Sequence, residues 1–283
     1  MRIAVGLAAL VALALAAGIV PPAVASTAAS TAASDPSVQC RFQDARFTEI
    51  SGMTYSQRHP GIVYLHNDSG GGPRIYAVDA STCRTVATLT LRGAQARDFE
   101  AIGSGRDAKG RPILWVADIG DNLNSWSEVR LLRVREPKVL RDRTLGARTF
   151  RFTYSDGPHD AEALLTDPRS TRVWIVTKKL ANGSLYELPA RLRSDRVNIA
   201  RRIGQAPGMI TDGAVSPDAS RYALRDYVDA SLFDGLPQGR RAGTVYLPFE
   251  LQGEALTWTP DGSALLVAGE RDNRLYRVPI VLR

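Results

Sequence analysis

The chain has 283 residues, and its 36 Lys and Arg outweigh 29 Asp and Glu for a net charge of +7. That length is ample for a single all-β domain or one large core. The cations are scattered without a long basic block, which excludes the basic stripe of a nucleic-acid binder.

Residues 1–25 have the order of a secretory signal peptide. Arg2 gives a basic start, Ile3 to Val20 is an apolar run, and Ala23-Val24-Ala25 is an A-x-A cleavage site. The rival is a membrane anchor, because the run is nearly long enough to span. The small-residue site and the Ser/Thr/Ala-rich stretch after it favour export. Residues 26–38 are expected to form a disordered linker, and 39–283 the folded domain, which is expected to be secreted and monomeric. No segment after the signal peptide is apolar enough to span a bilayer. Cys40 and Cys83 are the two cysteines, and export favours a disulfide between them over two separate thiols.

Five short segments repeat along the domain: Ser51-Gly52-Met53-Thr54, Phe99-Glu100-Ala101-Ile102, Ala161-Glu162-Ala163-Leu164, Asp212-Gly213-Ala214-Val215 and Gly253-Glu254-Ala255-Leu256. Their second positions, 52, 100, 162, 213 and 254, are 48, 62, 51 and 41 residues apart. A period near 40–50 suits the four-stranded blades of a β-propeller. After each segment come a turn and an apolar strand: 62–65, 113–116, 173–176, 222–224 and 264–267. Third strands with alternating apolar residues are expected at 74–78, 130–134, 184–188 and 274–278. The stretch 229–243 gives no clear third strand in the fourth unit.

The last unit runs out of chain after Ile280. Closing the ring would bury its edge, so Gln39-Cys40-Arg41-Phe42 is expected to supply its outer strand. The fold expected is therefore all-β, a five-bladed propeller closed by an N-terminal strand. Six blades are the alternative if the 62-residue spacing hides a further unit.

The first strand of a blade lines the central channel. The repeated segments thus bring Glu100, Glu162 and Glu254 toward the axis, with Ser51 and Asp212 as neighbouring oxygen donors. Converging carboxylates repel one another unless protons, water or a cation intervene. An oxygen-only set without a His/Cys cluster suits Ca²⁺ better than zinc. The alternative is a wet channel in which these glutamates accept hydrogen bonds from neighbouring strands. The ends of second strands surround the same mouth and carry His66, Asp68, Asp118, Lys178 and Arg225 as candidate catalytic residues. Asp98, His159 and Asp160 are expected on the same face. Such a mixed ring would hold an anionic ester, with a carboxylate or histidine moving the proton. Each aspartate there can equally serve only to cap a turn.

At the repeated E-A-hydrophobic segments, at His66-Asn67-Asp68-Ser69-Gly70 and at Asp118-Ile119-Gly120-Asp121-Asn122, the chain resembles secreted bacterial propellers of the "esterase-like activity of phytase" group. More distantly, it resembles the five-bladed calcium-activated nucleotidases, the apyrases. The resemblance spans about residue 40 to the end. It implies a calcium ion on the propeller axis, held by Glu100, Glu162 and Glu254, with Ser51 as a fourth ligand. Two functions follow as expectations. One is a calcium-dependent hydrolase of phosphate or other anionic esters. The other is a non-catalytic extracellular binding or scaffold propeller with a structural cation.

Overall fold

The computed structural model describes residues 35–281. The expected signal peptide and all but the end of the expected linker lie outside these residues. Among the described residues the structure is all-β, with no helix.

Strand β1 (Ser37–Arg41) comes first and takes in Ser37 and Val38, which the sequence assigns to the linker. Strands β2 (Ile50–Tyr55), β3 (Ile62–Asn67), β4 (Arg74–Asp79) and β5 (Arg84–Arg92) form an antiparallel meander. Strands β6 (Phe99–Arg106), β7 (Pro112–Asp118) and β8 (Val129–Arg135) begin a second one. The chain then crosses back as β9 (Arg143–Gly146), parallel to β5, before β10 (Arg148–Tyr154) completes the second meander beside β8. The long second spacing thus holds β9 and its connections.

Strands β11 (Ala161–Thr166), β12 (Val173–Thr177), β13 (Asn182–Glu187) and β14 (Asn198–Pro207) form the third meander, whose outer strand pairs parallel with β10. The fourth comprises β15 (Asp212–Val215), β16 (Arg221–Arg225), β17 (Asp229–Asp234) and β18 (Arg241–Tyr246). Strands β19 (Gln252–Trp258), β20 (Ala264–Glu270) and β21 (Arg274–Pro279) come last, and β1 pairs antiparallel with β21 as their outer strand. The Cys40–Cys83 disulfide ties that closing strand to the turn between β4 and β5.

Neighbouring first strands touch in the order β2, β6, β11, β15, β19, and β19 returns to β2, a propeller-like arrangement. They point the same way. Near their starts, the Ser51 hydroxyl donates to the Glu100 carbonyl at 3.0 Å. Near their ends, the Thr166 hydroxyl donates to the Ser104 carbonyl at 2.8 Å, and the Trp258 indole to the Ala214 carbonyl at 3.0 Å.

The apolar core is not central. It is divided into clusters between adjacent units, because successive side chains of a strand point to opposite faces and each face is buried against a different neighbour. Trp115, Phe150, Ile175 and Tyr186 pack between the second and third units. Met53, Leu65, Leu266 and Leu275 pack between the last unit and the first, so apolar burial holds the two ends of the repeat together. The space left on the axis is walled by first strands, and its two ends are where chemistry can sit.

Candidate functional site

The starts of the first strands share one irregularity. In four of them a single residue is skipped by the pairing with the second strand: Ser51 in β2, Glu100 in β6, Glu162 in β11 and Glu254 in β19. A β-bulge frees a residue from the ladder and re-aims its side chain. The structural counterpart of the three glutamates in the first unit is therefore Ser51, one residue before the Gly52 that the sequence repeat aligns with them. The first strand of the fourth unit pairs without a bulge, and Asp212 lies directly opposite Arg225.

These bulged residues do not converge into one ligand set. Glu100 joins Asp68, at the end of the second strand, and Asp98, on the loop entering β6, and one oxygen from each lies within 4.8 Å of the other two. The Ser51 hydroxyl lies 3.2 Å from Glu100 Oε2. Glu162 is instead captured by Lys178, whose Nζ lies 2.9 Å from Glu162 Oε1. Glu254 accepts from Gln252 Nε2 at 2.9 Å and interacts with Glu270.

The electrostatics are those of an excess of carboxylates in a poorly solvated place. Burial, then the neighbouring Asp98, pushes Asp68 up to about 8. Burial and the charge of Glu162 push Glu100 well above the usual carboxylate range. Burial raises Glu162 to about 7 against the opposing pull of Lys178, and burial with Glu254 raises Glu270 to about 7. Burial works against the Lys178 ammonium, but Glu162 and the Tyr227 hydroxyl outweigh it and hold its pKa above the usual lysine value.

Several expected mouth residues are wall residues. Arg225 is fully buried: Nη2 lies 3.1 Å from Glu250 Oε2, and Nη1 donates to the Ala255 and Ala268 carbonyls at 2.8 and 3.2 Å. It clamps the fourth unit onto the last one and offers no charge to a ligand. His66 is buried beside the Phe99 ring, its Nδ1 2.9 Å from the Asn67 carbonyl, and burial lowers its pKa to about 4. Asp118 accepts from the Asp98 N–H at 2.8 Å and is buried, so it positions the Asp98 loop. Asp212 is buried too, with one oxygen on the Gly213 N–H and the other on the Leu256 N–H, each at 2.7 Å. That removes it from the expected cation ligands. His159 pairs with Asp156 at 3.1 Å and packs against Tyr154 and Tyr186. Of the catalytic candidates, Asp68 belongs to the acidic cluster, and Lys178 pairs with Glu162 beside it in the ring of first strands.

Two loops fix the cluster. The Asp121 N–H donates to Asp160 at 2.8 Å and the Asp160 N–H to Asn124 at 2.9 Å, which locks the turn after β7 to the segment entering β11. Gly120 lies within that turn. A Cβ there would collide with Asp98 Oδ2 and Glu100 Oε1, so this glycine makes room for the two carboxylates.

The donor set fits a hard divalent cation. Its donors are carboxylate oxygens, one Asp68 oxygen is buried with no hydrogen-bond partner, and the Gly120 backbone leaves the space between carboxylates open.

No family model and no curated protein matches the chain. Among solved structures, the crystal structure of Myxococcus xanthus glutaminyl cyclase is similar at 11% identity with a TM-score of 0.49, covering 88% of this chain and 97% of that one.

Proposed function

We propose that the protein is a secreted, five-bladed propeller that binds Ca²⁺ at the acidic end of its channel. The observation that carries this is the cluster of Asp68, Asp98 and Glu100, with one Asp68 oxygen buried and unpartnered. Carboxylates this close either keep protons or share a cation, and Ca²⁺ accepts such oxygens with flexible geometry. Ser51 and Glu254 stand as outer groups. The closing strand, the disulfide and the five meanders support both the blade count and export to an oxidising compartment.

In its catalytic form the site hydrolyses a phosphate or other anionic ester. Bound calcium would supply the positive charge for a substrate oxyanion, since Arg225 has no free charge and Lys178 is held by Glu162. Glu162, near 7, suits proton transfer at neutral pH. A non-catalytic binding propeller is favoured by a different observation. Leu123, Leu180, Val228, Phe249 and Leu251 are exposed on loops at the same end of the channel, an apolar rim suited to a macromolecular partner.

Metal analysis and melting of the purified mature protein test the shared claim. About one tightly held calcium per chain and a large drop in Tm on chelation are expected. A metal-free protein with no shift on adding either calcium or chelator would reduce the carboxylates to channel hydrogen-bonding groups. Ester turnover in the calcium-loaded protein then separates the catalytic form from the binding one.

A further inference from the structure

The first strands finish at Tyr55, Arg106, Thr166, Val215 and Trp258. Their ends and the turns that follow enclose a cavity of about 320 Å³. That volume lies within the range of small-molecule sites, and a cavity fed by every first strand is a pre-formed one. Its walls begin at Ile102 and Leu164, two residues past Glu100 and Glu162 and about 7 Å along the strands at about 3.3 Å per residue, and it extends to the turns beyond the strand ends.

Its lining has a definite chemistry. Ile102, Leu164, Val215 and Trp258 give apolar walls. The one polar atom of the Trp258 ring is satisfied by the Ala214 carbonyl, so the ring offers the cavity only apolar surface. The charged side chains among the lining residues are Arg106 and Arg169, with no carboxylate beside them in the lining. They arise side by side, because the Arg106 N–H donates to the Ser170 carbonyl at 3.2 Å. Neither is locked in a two-pronged pair. Arg106 Nη1 donates to the Gly110 carbonyl at 3.0 Å. Arg169 reaches Asp167 only through Nε at 3.5 Å, and its side chain is 61% exposed. Asp167 is already engaged by the Ser170 hydroxyl at 2.8 Å and the Arg169 N–H at 3.0 Å.

We propose that this cavity is a second ligand site, which takes a small organic carboxylate with an apolar body. The carboxylate sits on Arg106 and Arg169, whose planar guanidinium groups match its two oxygens. The body lies against Trp258, Leu164, Ile102 and Val215. Binding here needs neither the acidic cluster nor a cation.

Phenylacetate and 3-methylbutanoate are the probes, with phenylacetamide and phenethylammonium as neutral and cationic controls. Protein carrying ¹⁵N-tryptophan gives one indole signal for each of its four tryptophans, and Trp258→Phe assigns the relevant one. A saturable shift of the Trp258 signal is expected with the carboxylates, in chelated and calcium-loaded protein alike. Phenylacetamide should bind at least tenfold more weakly. The Arg106→Gln/Arg169→Gln variant should lose at least tenfold in affinity while the other indole signals keep their positions. The proposal is overturned if neither carboxylate gives a saturable shift. Equal affinity for phenethylammonium, or unchanged binding in the double variant, overturns it as well.

Discussion

The two ends of the channel are walled by the same strands and differ in sign. At the start of the strands, bulges at Ser51, Glu100, Glu162 and Glu254 turn polar side chains out of the ladder, and carboxylates accumulate. At their ends the pairing is regular, the walls are apolar, and the charged groups are Arg106 and Arg169. Backbone irregularity is thus concentrated where like charges must be brought together, and the regular end is left as a pocket. Bulges are commonly placed beside active sites for this reason.

The comparison requires that Arg225, although close in sequence to the acidic face, belongs to the wall. Arg225→Met leaves Glu250 buried without a partner, and such a loss costs about 3–5 kcal/mol. Denaturant unfolding should show that drop while calorimetry finds calcium affinity unchanged within about threefold. A folded variant that loses calcium binding would place Arg225 in the site after all.

A smaller effect is expected from Gly120→Ala, which changes no charge. The added Cβ pushes on Asp98 and Glu100, and about a tenfold loss in calcium affinity is expected, roughly 1.4 kcal/mol. Unaltered affinity would mean that these two carboxylates do not face the ion.

A third effect is a slope with pH. Asp68, Glu162 and Glu270 titrate at about 8, 7 and 7 in the folded chain, above the ordinary values of 3.8 and 4.5. Between about pH 4 and 8 the folded state therefore holds protons that the unfolded chain has released. Stability falls as pH rises wherever the unfolded state binds fewer protons. Chelated protein should be less stable at pH 8 than at pH 5, and saturating calcium should flatten that slope. Chelated stability that rises across this window would show that the carboxylates repel one another less than their spacing implies.

Much of the architecture was legible because each unit repeats the same local physics. Ile62-Val63-Tyr64-Leu65 and its counterparts are continuous apolar runs, as strands buried on both faces must be. The closing strand was expected because the last unit shows only three strands, and the cysteine pairing because export was expected for a chain with two cysteines. Strand β17 was not legible, because Asp229–Asp234 has polar ends and the apolar residues between them, Ala230, Leu232 and Phe233, do not alternate cleanly with polar ones. Strand β9 was hidden for another reason: its partner β5 lies some fifty residues away and runs parallel, which leaves no local pattern.

The acidic cluster was half legible. Glu100, Glu162 and Glu254 stood out in the repeat, but a bulge has no sequence signature, so Ser51 and Gly52 were offset by one residue in alignment. Asp98 pointed to the right face without showing that it meets Asp68. His66 and Arg225 look like mouth residues in sequence, because a strand end does not reveal which side chains turn inward. The Glu250 partner that settles Arg225 belongs to a different unit.

The most direct test is a calorimetric calcium titration of the mature protein beside its Asp68→Asn/Glu100→Gln variant. The account predicts a single site in the wild type and at least a hundredfold weaker binding in a folded variant. Equal affinity in both proteins would contradict it and move the cation away from this end of the channel.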